Sequence, residues 1–232
     1  MANTPRDLLD RYFYFFMSLV IAAVVVYGFS HTIDINLIHP PYPRPLILYF
    51  HGAIFAAWVV LLMVQSGLIR TRNVKLHRKL GLAGVGLGIA IPIVGIPTGI
   101  AMAKFNTLHG ATDSAQFLIV PFFDMIVFSI VFGLAILWRT APEFHRRLML
   151  VASCALTVAA FNRFSIATQH WGYAGVDALI LLGAARDVIL TRRVHVVYLY
   201  ALPALILGQV ITMQVFLNSW PPWLTIAHWL IG

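Results

Sequence analysis

The chain predicts an all-α fold: a polytopic bundle of seven transmembrane helices forming one domain over residues 1–232. Three observations carry this. Hydrophobic residues make up 60% of the sequence and charged residues 10%, with a mean hydropathy of +0.86, which is outside the range of soluble domains. Apolar runs near the ~20 residues needed to cross a ~30 Å hydrocarbon core recur along the whole length. The cations are also segregated. With the amino terminus inside, Arg6, Arg11, Arg70, Arg72, Lys75, Arg78, Lys79, Arg139, Arg146, Arg147, Arg186, Arg192 and Arg193 face the cytoplasm, and only Arg44, Lys104 and Arg163 face out. This is a strong positive-inside bias, and it predicts an N-in, C-out topology. A net charge of +8 would suggest nucleic acid in a soluble protein. Gathered at one membrane face, it points instead to anionic lipid headgroups, and nucleic acid is excluded as a partner.

The elements follow in order. Run 13–30 is too long for a signal-peptide core and is followed by Tyr27-Gly-Phe-Ser-His31 rather than a small-residue cleavage site, so it reads as a retained helix. Loop 31–45 contains His31, His39 and Pro40-Pro41-Tyr42-Pro43-Arg44-Pro45, a run that cannot be helical. Helix 46–68 carries His51, Trp58 and Gln65. Helix 78–101 is rich in glycine and holds Pro92 and Pro97. Small residues allow close backbone approach in lipid, while prolines free carbonyls, so this helix is either tightly packed or bent around a cavity. Polar loop 102–116 leads to helix 117–138, which carries Asp124, and then to helix 145–164, which ends in Asn162-Arg163 and contains the single cysteine, Cys154. One cysteine allows no intramolecular disulfide and no cysteine metal cluster. Loop 165–173 holds Thr168, Gln169, His170, Trp171 and Tyr173; helices 174–190 and 195–217 and an aromatic interfacial tail over 218–232 complete the chain.

A hairpin is written three times. Each copy has one ionisable residue near the start of its first helix (His51, Asp124, Asp177) and a basic turn ending in a histidine. The turns are Arg70-Thr-Arg-Asn-Val-Lys-Leu-His77-Arg78, Arg139-Thr-Ala-Pro-Glu-Phe-His145-Arg146 and Arg192-Arg193-Val-His195. Charge orientation places His51, Asp124 and Asp177 in the outer half of the membrane and His77, His145 and His195 at the inner interface.

Ionisable groups within spans are costly and face a protein interior or a wet cavity. The outer set, joined by Arg163, therefore defines an outer-facing polar pocket. His51, Asp124 and Asp177 could ligate a divalent metal. His51 and Asp124 could act as acid and base or relay protons, with Arg163 holding an anionic group. An ion pair between Arg163 and Asp124 that only fixes helix packing is the structural alternative. His77, His145 and His195 could hold a cofactor such as haem b, or simply anchor helices at the interface.

Three functions are open. The first is binding of a small ligand or of a cofactor (metal or haem), in a membrane oxidoreductase or hydrolase. The second is a proton-coupled transporter or channel component. The third is a structural subunit of a membrane complex or homo-oligomer. A retinal photoreceptor is excluded, because the lysines are Lys75, Lys79 and Lys104 and none lies in the last helix.

The stretches Phe50-His51 with Trp58 and Gln65, Leu76-His77-Arg78-Lys-Leu-Gly81, Phe122-Phe-Asp124, His145-Arg-Arg-Leu-Met149 with Asn162-Arg163, and Asp187 with Arg192-Arg-Val-His195 resemble a family of uncharacterised bacterial seven-helix membrane proteins. The chain departs from it at His195-Val196-Val197, where the family would place a proline soon after the histidine. The resemblance implies the architecture, a bacterial inner-membrane location and the choice of polar residues. It implies no reaction.

Overall fold

The computed structural model describes residues 5–164 and 172–232. Among the described residues all regular structure is helical: α1 (Pro5–Ser30), a π-helical turn (Asp34–Ile38), α2 (Leu46–Arg70), α3 (Val74–Leu108), α4 (Ser114–Phe117), α5 (Ile119–Leu137), α6 (Pro142–Ala155), α7 (Val158–Phe161), α8 (Gly172–Thr191), α9 (Val196–Leu217) and α10 (Pro221–Ile231). The expected residues Thr168, Gln169, His170 and Trp171 lie outside the described residues.

Six segments are long and apolar enough to cross a membrane: Arg6–Ser30, Leu46–Arg70, Val74–Leu108, Ser114–Leu137, Pro142–Phe161 and Val196–Leu217. Helix α8 has 20 residues, about 30 Å at 1.5 Å per residue. It carries three charged side chains, Asp177, Arg186 and Asp187, and so stands apart from the six by composition, not by length.

Several boundaries differ from the sequence expectation: the third helix runs on to Leu108 instead of ending at 101, into the expected loop, and two others differ for identifiable reasons. The third helix begins four residues earlier than 78, at Val74, because the Asn73 side chain accepts a hydrogen bond from the Leu76 N–H (3.2 Å) and caps a new first turn. The fifth is broken into α6 and α7. Pro142 starts it at the first turn, where a missing N–H does no harm. It breaks near Thr157, whose hydroxyl donates to the Cys154 carbonyl (2.6 Å) and so competes with the helix ladder.

Helix α3 runs unbroken through Pro92 and Pro97, and Thr98 Oγ1 donates to the Val94 carbonyl at 2.7 Å. Its small residues serve close packing. A Cβ built on Gly88 would lie 2.3 Å from the Phe132 ring, and one on Gly95 2.5 Å from Met125 Sδ. The core centres on α5, α6 and α8, where Phe128, Val151, Ala152 and Ile180 are fully buried. Trp58 of α2 meets Phe128 and Phe132 edge-on (ring centroids 5.2 and 5.5 Å). Helix α10 packs on α3 and α4, with the Trp223 indole N–H pointing at the Ala115 and Gln116 carbonyls (both 3.3 Å).

Candidate functional site

The polar groups inside the bundle separate into two ends with opposite character. At the end of the basic turns the charges are matched. Arg147 donates from Nε to Asp187 Oδ2 (2.8 Å), from a terminal nitrogen to Asp187 Oδ1 (2.6 Å), and from the other terminal nitrogen to Glu143 (2.6 Å). Arg186 donates to Asp187 (3.0 Å) and to Asp10. Arg147 and Asp187 are 3% and 1% exposed, so neither charge could stand there alone. These contacts tie α1, α6 and α8 together.

At the opposite end, carboxyls meet neutral partners. Asp124 on α5 is 7% exposed, and its partner is the Tyr173 hydroxyl on α8, which donates to it at 3.1 Å. One turn further along the same face of α8, Asp177 accepts from the Gln209 side-chain amide of α9 (3.0 Å). Among the described residues no cation pairs with either carboxyl. The expected structural pair of Arg163 with Asp124 is therefore not formed. Arg163 instead donates to Thr32 Oγ1 (3.1 Å) and to the Ala159 carbonyl, and lies over the Phe29 ring, 4.4 Å from its centroid.

His51 is half-buried and stacks on Phe55 (4.1 Å). Among the described residues its buried Nδ1 has no hydrogen-bond partner. Residues 51 and 58 share one face of α2, and residues 124 and 128 share one face of α5. The Trp58–Phe128 contact thus turns the His51 face of α2 toward the Asp124 face of α5, with both polar residues on the same side of that aromatic layer. Among the described residues no group of three His, Cys, Asp or Glu side chains could hold a metal ion. The structure therefore does not support a metal centre of His51, Asp124 and Asp177: Asp124 and Asp177 are turned to different partners on different helices.

The three turn histidines are each engaged by their own helix ends. His77 and His145 are neighbours, ring centroids 6.4 Å apart and near perpendicular. His145 Nδ1 donates to the Ala135 carbonyl (2.8 Å). In the amide orientation that satisfies both of its ends, Gln65 donates to His77 Nδ1 (2.7 Å) and accepts from the Gly81 N–H (3.1 Å). His195 caps α9, its Nδ1 accepting from the Val197 N–H (3.2 Å), and packs edge-on against Phe144 (4.8 Å). Burial first, and then the Arg147 charge, hold its imidazole below the usual histidine range. These are helix-anchoring roles, and they give no support to haem ligation.

No protein-family model, curated protein or solved structure matches the chain.

Sequence reasoning found the outer residues one by one but not their partners. Tyr173, expected in the loop 165–173, lies in the first turn of α8 and bonds Asp124. The Arg147–Asp187 lock was missed outright. Its signal was present: an Arg186-Asp187 dipeptide inside a run that is otherwise apolar, facing a Glu143–Arg147 pair at helical spacing.

Proposed function

We propose that this protein is a proton-coupled membrane carrier of a small solute, with Asp124 and Tyr173 at the proton-exchanging site and His51 at the solute-binding site. The observation that carries the proposal is the pairing of a buried carboxyl with a phenol and, among the described residues, with no cation. A carboxyl with a neutral partner can gain and lose a proton without breaking an ion pair. Asp187, clamped by two guanidiniums, cannot. In a hydrophobic span such a group is costly to keep unless it is used. Asp177 with Gln209 offers a second exchangeable carboxyl one helical turn away.

Helix α8 completes a seven-span, N-in arrangement in this reading. Its length supports it, as do the matching of Arg186 and Asp187 within the protein and the segregation of cations to one end. The resemblance and the positive-inside bias support a bacterial inner membrane. His51 favours a second reading, a membrane enzyme that binds a small ligand, because its buried Nδ1 has no hydrogen-bond partner among the described residues.

Proteoliposomes carrying a pH dye and challenged with a panel of small solutes test the carrier reading. It predicts solute-dependent proton movement that Asp124→Asn abolishes while the protein remains folded. Unchanged proton movement in that variant sinks it.

A further inference from the structure

A cavity of about 420 Å³ opens at the basic end between the start of α1, the start of α6 and the end of α8. The charges around it are matched: Arg146 and Arg147 with Glu143, Arg147 and Arg186 with Asp187, and Arg186 with Asp10. What differs around the wall is how firmly each helix is held. From Phe13 onward, α1 is built into the bundle. Phe13, Met17, Ser18 and Ile21 are buried, Ser18 Oγ lies 2.9 Å from Ser66 Oγ of α2, and a Cβ on Gly28 would collide with the Ala160 carbonyl. The two turns before Phe13 are held differently. Arg6, Asp7, Leu8, Asp10 and Arg11 are exposed and Leu9 is half-buried. Tyr12, with Arg70 of α2 over its ring (4.7 Å), marks the boundary. An ion pair from Asp10 to Arg186 carries these turns across to α8.

The partners in that pair are unequal, since Asp10 is 59% exposed and Arg186 2%. Water can replace Arg186 at the Asp10 carboxylate at little cost. Arg186 keeps Asp187 (3.0 Å) when Asp10 leaves. Parting Arg147 from Asp187, 3% and 1% exposed, would instead separate two buried charges. Of these two joints between helices, the weaker one therefore lies between α1 and α8, at the rim of an existing cavity. Segments with few buried apolar contacts open locally at a small fraction of the global unfolding free energy. We propose that residues 5–11 are a latch over this cavity, lifting from α8 when Asp10 parts from Arg186 while α1 from Phe13 onward stays in place. Leu9, which packs against the bundle core, favours reclosure by returning apolar surface to the protein. On the carrier reading the latch opens the exit at the basic end; that use rests on the reading, whereas the latch itself does not.

Hydrogen–deuterium exchange of the full chain in lipid nanodiscs tests it. Asp10→Asn and Arg186→Gln should each speed amide exchange over residues 9–12 by about two- to fivefold, the range of an exposed ion pair. The double variant should exchange no faster there than the faster single, because both remove one interaction. Glu143→Gln removes pairs made within α6 and should leave residues 9–12 as in the parent. Residues 17–21 should exchange at the parent rate in Asp10→Asn, which separates latch release from a general loosening of α1. The proposal is overturned if Asp10→Asn leaves exchange over residues 9–12 unchanged, if the two single effects add in the double variant, or if residues 17–21 speed up equally. Exchange over α1 is read without transport, so its failure leaves the Asp124 reading where it stood.

Discussion

At the residue scale, the contrast between Asp124 and Asp187 decides how each should respond to change. Asp187 holds two buried guanidiniums, so Asp187→Ala removes two of the hydrogen bonds of the 3%-exposed Arg147 and leaves Glu143 as its carboxylate partner. The expected cost is about 3–5 kcal/mol, read as a lowered unfolding midpoint in detergent. Asp124→Asn keeps the shape of the side chain and can still accept from Tyr173, so it should fold and lose only proton coupling. Tyr173→Phe removes one neutral hydrogen bond, about 0.5–1.5 kcal/mol, and should slow exchange without abolishing it.

His195 gives a pH dependence with a definite sign. Its folded-state affinity for a proton is lowered, so the unfolded chain binds that proton more readily. The stabilisation is complete above the ordinary histidine value of about 6.5 and is lost as pH falls below it. Thermal midpoints of the parent should therefore drop between about pH 7.5 and 5.5. The drop should be smaller in His195→Asn, which keeps a capping side chain; an identical drop in both would assign the effect elsewhere.

At the element scale, α3 shows what its glycines do. Gly88 meets the Phe132 ring where any Cβ would clash at 2.3 Å, whereas Gly81 has nothing within 4 Å. Gly88→Ala should cost about 1–3 kcal/mol through overpacking. Gly81→Ala should be neutral or stabilise by up to about 1 kcal/mol. Paired unfolding curves check this, and equal effects would contradict the packing account.

The all-helical, membrane-spanning character was legible because hydropathy sets it, together with rough helix limits; the expected seven spans compare with six segments apolar enough to cross. Their ends were not, since Asn73 and Thr157 act through single side-chain hydrogen bonds that no average over a window reports. The same reason explains the site. His51, Asp124 and Asp177 were visible as polar residues in apolar runs. That Asp124 would find Tyr173 on α8, and not Arg163, depends on how α5 rotates against α8, which a single sequence does not display.

At the scale of the whole molecule, the bundle has an ion-paired end and an end where carboxyls meet uncharged partners. Ion pairs fasten α1, α6 and α8 at one, while hydrogen bonds from Tyr173 to Asp124 and from Gln209 to Asp177 join α5, α8 and α9 at the other. The topology can be checked directly, because the single native cysteine, Cys154, is fully buried and gives little labelling background. A membrane-impermeant thiol reagent should reach a cysteine placed at Gly110 from outside intact cells, and one placed at Arg72 only after lysis. The reverse pattern would overturn the N-in orientation.

The central claim is that Asp124 exchanges a proton within the membrane, and pH-difference infrared spectroscopy of the protein in lipid reads this directly. The account predicts a protonated-carboxyl band that titrates reversibly, shifts in heavy water, changes frequency in Tyr173→Phe and disappears in Asp124→Asn. A difference spectrum with no such band, or with one that survives Asp124→Asn unchanged, would contradict it.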